Sequence, residues 1–401
     1  MPTELILAFD QGTTSSRALV TDAAGRELGL AQEALAATYP QSGWIEQDAE
    51  AIWSGQLRAA RAALQAAGCT AADIAGIGIT NQRETTILWD RRTGRPAAPA
   101  IVWQDRRSAA IVAGWRQAGQ ADRIRELTGL EPDAYFSASK IRWLLDRDPE
   151  LQELAAAGRL AFGTVDSWLL YRLTAGAVHA TDVTNASRTL LFDTERMEWS
   201  AELLDLFGIP RELLPEVKPT MCNFGVAAAE HFGAEIPVLA LAGDQHAASF
   251  GQACFEPGMS KNTYGTGCFM LQNTGSVRRT PDNGLLGTVA WQLPAADPQG
   301  EPETTYAIEG SVFNAGAVIQ WLRDGLGLIS DAAAVNDLAA SVPDNGDVYL
   351  VPAFTGLGAP HWDPLARGTI TGLSRGTTGG HLARAALEGI ALQVAEVFQA
   401  F

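Results

Sequence analysis

The sequence has few cysteine and histidine residues, and their spacing argues against two common kinds of site. Its four cysteines lie far apart, at positions 69, 222, 254 and 268, and no two have C-x-x-C spacing. Scattered thiols are typical of a reduced, cytoplasmic protein rather than of a disulfide framework. The five histidines include no H-x-x-x-H pair, so the sequence predicts no metal cage built from histidine and cysteine.

Long apolar runs and basic residues are also scarce. The chain has no run of about 20 apolar residues, the length that a membrane span needs, and residues 1–10 become polar too soon for a signal peptide. Lysine and arginine total 29 against 46 acidic residues, a formal net charge of −17. So acidic a chain is poorly suited to a nucleic acid or an anionic membrane, although a local loop can still bind a small anion. We therefore expect a cytoplasmic protein with no nucleic-acid partner and no membrane insertion.

The apolar content and the order of predicted elements favour an α/β protein. Hydrophobic residues make up 47% of the 401 residues and charged residues 19%, which excludes intrinsic disorder and favours two domains, with three possible. Buried strands are predicted at residues 5–10, 74–80 and 237–244, with a shorter one at 101–103. Helices are predicted at 48–67, capped by Asp48 and ended by Gly68, and at 165–173. Strands that alternate with helices predict an α/β architecture.

Two similar hairpins occur far apart in the chain. The first has its tip at residues 12–16 (GTTSS), and the second at residues 264–267 (YGTG). Sequence identity between the two halves is slight, so the observation is a repeated device rather than a demonstrated duplication. We predict two domains, residues 1–250 and 251–401, each of which presents one hairpin tip to a shared cleft.

The first tip has the residues of an anion-binding turn. Gly12 lets the backbone approach a ligand closely, and successive N–H groups form an anion nest. Side-chain donors follow at Thr13, Thr14, Ser15 and Arg17. Asp10 offers an oxygen to Mg²⁺ through water. Either tip alone is equally well read as a plain Gly/Ser/Thr turn, but two tips on two hairpins favour a triphosphate supported from both sides.

Charged residues end one of the predicted buried strands and follow another. Asp244 is placed to accept a proton from a substrate hydroxyl during phosphoryl transfer, or alternatively to cap a helix. The pair Arg83 and Glu84 offers one donor and one acceptor to a polyol, or alternatively forms a surface ion pair. Trp103 and Phe269 are candidates to cover a short hydrocarbon stem, although aromatic residues at strand ends are more often part of a core.

Other catalytic motifs are absent or lack their context. The sequence has no G-x-x-x-x-G-K-[ST] and no G-x-G-x-x-G turn, which argues against a P-loop enzyme and a nicotinamide site. Residues 372–376 (GLSRG) match the nucleophile elbow of hydrolases. However, His381 is the only histidine after Ser374 and no acid lies between them, so the hydrolase interpretation fails.

Read together, the segments resemble a known family, the glycerol kinases among the FGGY carbohydrate kinases of the actin-like ATPase superfamily. The resemblance covers residues 5–401, and its segments include FDQGTTSSRALV, GIGITNQRETTILWD, DAYFSASKIRWLLD, LAGDQHAASFGQ and KNTYGTGCFML. The RET and YFSA segments distinguish glycerol kinases from relatives of xylulose or gluconate type. The resemblance implies two actin-like (ribonuclease H-like) α/β domains around a central cleft, with the second domain incomplete. It also implies ATP-dependent phosphorylation of glycerol to sn-glycerol 3-phosphate.

The resemblance also implies roles for individual residues. Glycerol would contact Arg83, Glu84, Trp103, Tyr135, Asp244, Gln245 and Phe269, with Asp244 as the general base. ATP would contact Thr13, Thr14, Ser15, Arg17, Thr266, Gly310 and Asn314. Mg²⁺ would lie near Asp10 and Asp244. The family further implies a homo-dimer or tetramer, and the alternatives are an FGGY kinase for another polyol or ketose, or a nucleotide-binding protein with little turnover.

Several positions depart from the family pattern. His246 stands where relatives carry glutamine, and Glu235 replaces the arginine with which some bacterial relatives bind fructose 1,6-bisphosphate. Because a carboxylate repels a sugar phosphate, we expect no inhibition by that compound. His231 lies in the loop where some relatives carry a phosphorylated histidine, but its spacing to Pro237 differs by one residue.

The family pattern also continues beyond Phe401, through a segment that cradles adenine. For this chain we therefore expect weakened nucleotide binding and exposed apolar surface at residues 382–401.

Overall fold

The computed structural model describes residues 5–295, 297 and 300–401, so residues 1–4 of the predicted first domain lie outside the described part. The strands are β1 Leu5–Gln11, β2 Ser15–Asp22, β3 Glu27–Ala34, β4 Glu46–Gln47, β5 Ile74–Asn81, β6 Ile87–Asp90, β7 Arg95–Pro96, β8 Ala100–Ile101, β9 Leu160–Gly163, β10 Ala180–Asp182, β11 Phe192–Asp193, β12 Glu198–Trp199, β13 Glu216–Lys218, β14 Met221–Ala227, β15 Ile236–Gly243, β16 Ser260–Tyr264, β17 Cys268–Gly275, β18 Leu286–Leu293, β19 Glu303–Val312, β20 Tyr349–Val351 and β21 Thr369–Thr371. The helices are α1 Ala49–Ala67, α2 Ala109–Gln117, α3 Ala121–Thr128, α4 Ser137–Arg147, α5 Pro149–Ala156, α6 Val165–Leu173, α7 Val183–Ala186, α8 Ala201–Phe207, α9 Ala229–Phe232, α10 Asp244–Gly251, α11 Gly316–Asp324, α12 Ala334–Ala340 and α13 Gly379–Ala400.

The first domain is built on a six-stranded sheet in the order β14-β15-β5-β1-β2-β3. Its central strands β15, β5 and β1 are parallel, whereas β2 is antiparallel to β1. The register pairs Asn81 at the end of β5 with Gln11 on one side and Gly243 on the other. The carboxyl ends of three strands therefore meet at one edge, which is the edge where open α/β sheets bind ligands.

Helix α1 follows from local sequence signals. The Asp48 side chain accepts a hydrogen bond from the backbone N–H of Glu50, and Gly68 ends the helix in the left-handed conformation with φ of 65°. Ile52 and Trp53 lie on its buried face. The predicted helix over residues 48–67 is confirmed, and α6 coincides with the prediction for 165–173.

The second domain centres on a four-stranded antiparallel sheet in the order β16-β17-β19-β18. The β16–β17 hairpin carries the second glycine-threonine tip, and α13 packs against β19 and β20. The largest apolar cluster runs from the first domain into the second, where Trp103 and Tyr135 join Phe269 and Phe313. The two domains are thus joined by a common core beneath the cleft, and the α/β prediction is confirmed.

Two local expectations need correction. The strand predicted at residues 101–103 ends at Ile101, because the chain turns there and the N–H of Asp105 bonds to the carbonyl of Val102 at 2.9 Å. Asp244 does not occupy the cap position of α10, since Gly243 does and Asp244 is the first helical residue. The expected apolar exposure at residues 382–401 is present, with Leu392 59% and Phe398 67% exposed.

Candidate active site

A cavity of about 200 Å³ lies at the carboxyl edge of the first sheet, where the second domain closes over it. Its lining residues are Thr13, Arg83, Glu84, Trp103, Tyr135, Asp244, Gln245, Thr263, Gly265, Thr266 and Phe269. All the residues predicted to contact a polyol are therefore brought together, although they come from segments far apart in the chain. Thr13 of the first hairpin tip and Thr266 of the second line the same cavity.

The carboxylate of Glu84 is placed by an unusual backbone conformation. Glu84 follows β5 and has φ of 60°, in the left-handed region that non-glycine residues seldom adopt. Its carbonyl oxygen accepts hydrogen bonds from the hydroxyls of Ser137 at 3.0 Å and Thr86 at 3.2 Å. Strained residues of this kind persist where the surroundings hold them, and they cluster at functional sites.

Arg83 is the centre of the charged network. Its Nε lies 3.3 Å from Oδ1 of Asp244, and its Nη2 lies 3.4 Å from the hydroxyl of Tyr135. Its two terminal nitrogens donate to the carboxylate of Glu309, which belongs to the second domain. Arg83 is 2% exposed, so it is a buried cation whose neighbours fix its orientation.

The environment of Asp244 suits a general base. Its side chain is 32% exposed, so it keeps access to the cavity. Burial raises its pKa above the ordinary value, while Arg83 and Lys261 oppose the rise. A carboxylate whose pKa is raised towards neutrality is a stronger base towards a substrate hydroxyl. The geometry and the pKa direction both favour the predicted role.

Aromatic residues form the apolar wall of the cavity. The ring of Trp103 lies edge-on to Phe269, with centroids 5.6 Å apart, and to Tyr135 at 5.7 Å. The indole Nε1 of Trp103 donates to Oγ1 of Thr13 at 2.9 Å. The wall that would cover substrate carbons is thus joined directly to the first hairpin tip.

The remaining predicted nucleotide residues are distributed more widely. Arg17 pairs with Asp10 at 3.0 Å, and the hydroxyl of Ser15 accepts from Gln32 at 2.9 Å. Asp10, Thr14, Ser15 and Arg17 lie on the first hairpin but do not line the cavity. Their contacts with a nucleotide stay predictions.

Gly310 and Asn314 also do not line the cavity. A Cβ at Gly310 would lie 2.2 Å from Val397 of α13, so this glycine packs beneath the helix. Asn314 donates to the hydroxyl of Thr355 at 3.3 Å. The nucleotide roles that the resemblance implies for these two residues remain predictions.

The residues predicted to lie near Mg²⁺ are Asp10 and Asp244. Burial raises the pKa of Asp10, Arg17 opposes this, and the nearby charge of Asp244 raises it further. Within residues 5–295, 297 and 300–401, no group of three or more acidic, histidine or cysteine side chains is placed to hold a metal. Mg²⁺ typically uses one or two carboxylates together with water and substrate phosphates. The two carboxylates fit that kind of site.

Three buried charges beside the cavity were missed by sequence reasoning, namely Arg188, Lys261 and Glu309. Arg188 bonds Glu84 at 2.8 Å and Glu309 at 2.9 Å. Lys261 donates to Oε1 of Gln245, and burial lowers its pKa to about 8. Lys261 lies inside the KNTYGTGCFML segment that carried the family resemblance. For all three residues, the available signal was a charge among small and apolar residues.

Ser374 and His381, which suggested hydrolase chemistry, and His246, which departs from the family pattern, all have other partners. Ser374 lies in an exposed turn and accepts from the N–H of Gly376 at 3.2 Å, whereas His381 bonds to Thr378 at the start of α13. They do not form a nucleophile and base pair. His246 is buried, with Nε2 3.3 Å from the hydroxyl of Thr288.

Comparison with known proteins identifies both halves of the chain. Residues 5–251 match the FGGY family of carbohydrate kinases, N-terminal domain, and residues 260–401 match its C-terminal domain. A glycerol kinase of Bordetella parapertussis is 56% identical over 394 residues, which cover 98% of this chain and 77% of that protein. One from Aromatoleum aromaticum is 58% identical over 395 residues, covering 98% and 78%.

Solved structures agree with this assignment. The structure of Plasmodium falciparum glycerol kinase with ADP is 35% identical, with a TM-score of 0.84, and the match covers 99% of this chain and 78% of that one. A xylulose kinase from Lactobacillus acidophilus shares the fold, with a TM-score of 0.80 at 21% identity and coverage of 99% and 78%. Among the residues described, no helix combines the length and apolar character needed to cross a bilayer.

Proposed function

Because the chain belongs to the FGGY family of carbohydrate kinases, we propose that it transfers the γ-phosphoryl group of ATP to glycerol and forms sn-glycerol 3-phosphate. One observation carries the proposal. A single cavity of about 200 Å³ holds a candidate base, a hydroxyl-binding ion pair, an aromatic wall and one threonine from each hairpin tip, Thr13 and Thr266. The volume suits a small polyol.

The polyol contacts follow from donor and acceptor chemistry. Each hydroxyl of glycerol both donates and accepts, so the Arg83 guanidinium and the Glu84 carboxylate together satisfy one edge of the molecule. Gln245 and Tyr135 add further polar groups, while Trp103 lies against the carbon chain.

Asp244 is the general base in this proposal. It takes the proton of the terminal hydroxyl as the oxygen attacks the γ-phosphorus and the bond to the β-phosphate oxygen breaks, releasing ADP. Arg83 holds the carboxylate from one side, which fixes its direction towards the substrate. Closure of the two domains over the cavity excludes water, so the polyol and not water receives the phosphoryl group.

ATP approaches from the two hairpin tips. Thr13 and Thr266 reach the phosphates from opposite domains, and Thr14, Ser15 and Arg17 extend the first tip. Gly310 and Asn314 would contact the nucleotide further out. Asp10 and Asp244 would hold Mg²⁺ mainly through water, and the ion would neutralise charge on the phosphates.

Two further features belong to the proposal. The described cysteines are all free thiols, which suits work in the reducing cytoplasm. We also propose a homo-dimer or tetramer, by analogy with relatives. Light scattering on the purified chain measures the mass directly, and a monomer at assay concentrations would contradict that part.

The test is a coupled assay of ADP release with Mg-ATP, run with glycerol, erythritol, xylulose and ribulose. We expect turnover with glycerol and its loss, by about a thousandfold or more, in Asp244→Asn. Calorimetry with glycerol checks that the variant still binds substrate and is folded. If the chain prefers a ketose, that ketose and not glycerol is its substrate. Binding without turnover in the unaltered chain would favour a nucleotide-binding protein instead.

A further inference from the structure

The carboxylate of Glu309 is fully buried between the two domains. It projects from β19, where Glu309 lies opposite Leu271 of β17 and Leu286 of β18, so its position within the sheet is fixed from both sides. It contacts two arginines of the first domain, Arg83 and Arg188. A second-domain side chain thus reaches the charged groups that surround the polyol cavity.

The contact with Arg83 determines the direction of the guanidinium. Nη1 donates to Oε2 of Glu309, and Nη2 donates to Oε1 at 3.2 Å, so the carboxylate faces both terminal nitrogens. Because the guanidinium is planar and rigid, this fork-to-fork pairing also fixes Nε. Nε then lies 3.3 Å from Asp244. Without Glu309, the terminal nitrogens of Arg83 are free to turn onto Asp244 and occupy the base.

A second contact connects Glu309 with Glu84. Oε1 of Glu309 accepts from Nη2 of Arg188 at 2.9 Å, and Nε of Arg188 donates to Glu84 at 2.8 Å. Arg188 is 0% exposed, so it has no water to replace a lost partner. The orientation of the Glu84 carboxylate therefore also depends on Glu309, through one intervening side chain.

The charges of this buried cluster balance only when Glu309 is included. Three buried cations, Arg83, Arg188 and Lys261, lie with the buried carboxylates of Glu84 and Glu309 and with the partly exposed carboxylate of Asp244. Burial alone would raise the pKa of Glu309, but Arg188 and Arg83 outweigh it and hold the pKa well below the ordinary value. A neutral residue at 309 leaves an excess buried positive charge, which draws the remaining carboxylates out of position.

We infer that Glu309 is a positioning residue of the polyol site, which acts through Arg83 and Arg188 to orient the groups that bind the substrate hydroxyls. The inference rests on the proposed function, because it assigns a role within the same site. It also means that the polyol site is complete only while β19 is in contact with the first domain. Polyol affinity and the arrangement of the domains are thereby coupled.

The test compares Glu309→Gln and Glu309→Asp with the unaltered chain. Isothermal titration calorimetry with glycerol gives the Kd and the number of sites, and steady-state assays give KM and kcat. We expect Glu309→Gln to raise Kd and KM for glycerol by at least about tenfold. The number of sites and KM for ATP should stay within twofold of the values for the unaltered chain. Glu309→Asp keeps the charge but retracts it by one carbon, so its effect should be smaller.

Ser311 supplies a matched control, because its hydroxyl donates to Oε1 of Glu309 at 2.8 Å and it faces the same side of β19. Ser311→Ala removes a buried hydrogen bond at this place but leaves the charge, so glycerol Kd should stay within twofold. A merely structural role for Glu309 would reduce the number of sites and kcat without changing Kd or KM. That result overturns the inference and leaves the proposed function intact.

If Glu309→Gln does not fold, Glu309→Asp decides by the same criteria. An unchanged Kd in a folded Glu309→Asp then counts against the inference. Failure of the unaltered chain to bind glycerol would overturn the proposed function, and the inference with it. The result with the unaltered chain alone therefore distinguishes a failure of the proposed function from a failure of the inference about Glu309.

Discussion

The indole nitrogen of Trp103 donates a 2.9 Å hydrogen bond to the hydroxyl of Thr13, and so connects the apolar wall of the polyol cavity with the first hairpin tip. Trp103→Phe keeps an aromatic ring but removes the donor. We expect KM for ATP to rise severalfold, because Thr13 loses the partner that orients it, and KM for glycerol to change less. Steady-state kinetics with each substrate varied in turn measures both constants.

Trp199→Phe is the control for this change. Trp199 is also buried, and its Nε1 donates to the carbonyl of Pro215 at 2.8 Å, far from the cavity. The Trp199→Phe variant should be less stable, with no change in KM for ATP or in KM for glycerol. Equal shifts of KM for ATP in the two variants would contradict the role given to Trp103.

A methyl group at Gly243 should displace Arg83. A Cβ at this position would lie 2.8 Å from both Cγ and Cδ of Arg83, which is closer than real contacts allow. We expect Gly243→Ala to raise KM for glycerol by roughly tenfold, since small misplacements of a substrate-binding group are costly. Gly251→Ala, at the other end of α10, meets nothing within 4 Å and should leave KM unchanged. Similar KM values for the two variants would refute the steric argument.

His179 should make stability depend on acid pH. Its Nδ1 lies 2.8 Å from Nη1 of Arg91 and its Nε2 lies 2.7 Å from the carbonyl of Phe162, so the neutral ring is satisfied on both sides. Burial, with a further contribution from Arg91, lowers its pKa to about 3. Between pH 6.5 and 3 the unfolded chain binds a proton that the folded chain excludes. The contribution of His179 to the free energy of unfolding is therefore complete above pH 6.5. It is lost as the pH falls, by at most about 1.4 kcal/mol per pH unit.

His179→Gln tests this dependence. Glutamine offers one donor and one acceptor and does not titrate, so the acid loss of stability should become shallower between pH 6.5 and 4. Urea unfolding at several pH values gives the slope. His361→Gln serves as the comparison, because it makes the same substitution at a ring that is 46% exposed rather than buried. Parallel curves for the His179 variant and the unaltered chain would disprove the prediction.

The exposed face of α13 should promote association. Leu392 and Phe398 are 59% and 67% exposed on this helix, and large exposed apolar side chains favour contacts between molecules. We expect Leu392→Gln with Phe398→Gln to reduce the concentration-dependent increase in mass seen by light scattering, without lowering Tm. Ala391→Gln, a substitution at an exposed position on the same helix, is the control and should change neither the mass profile nor Tm. An unchanged mass profile in the double variant would rule out this face.

The sequence predicted those features that depend on residues close together in the chain. Asp48 and Gly68 mark the ends of α1 because capping acts within a few residues. Asp244, Arg83 and Glu84 were identified because each follows an apolar strand. The carboxyl ends of neighbouring parallel strands meet at one edge, and so a one-dimensional pattern sufficed to place them together.

Only the tertiary structure decided the partners of these residues. Glu309 is separated from Arg83 by 226 residues and Arg188 from Glu84 by 104, and no local pattern distinguishes a buried charge with such partners from an exposed one. The carbonyl of Glu84, which is in the left-handed conformation, likewise accepts a hydrogen bond from the hydroxyl of Ser137, 53 residues away. The sequence by itself determined that a candidate base, an arginine–glutamate pair and two hairpin tips meet at one cleft. Their orientation arose only when the two domains packed together, because burial makes a charge depend on neighbours that the chain supplies from a distance.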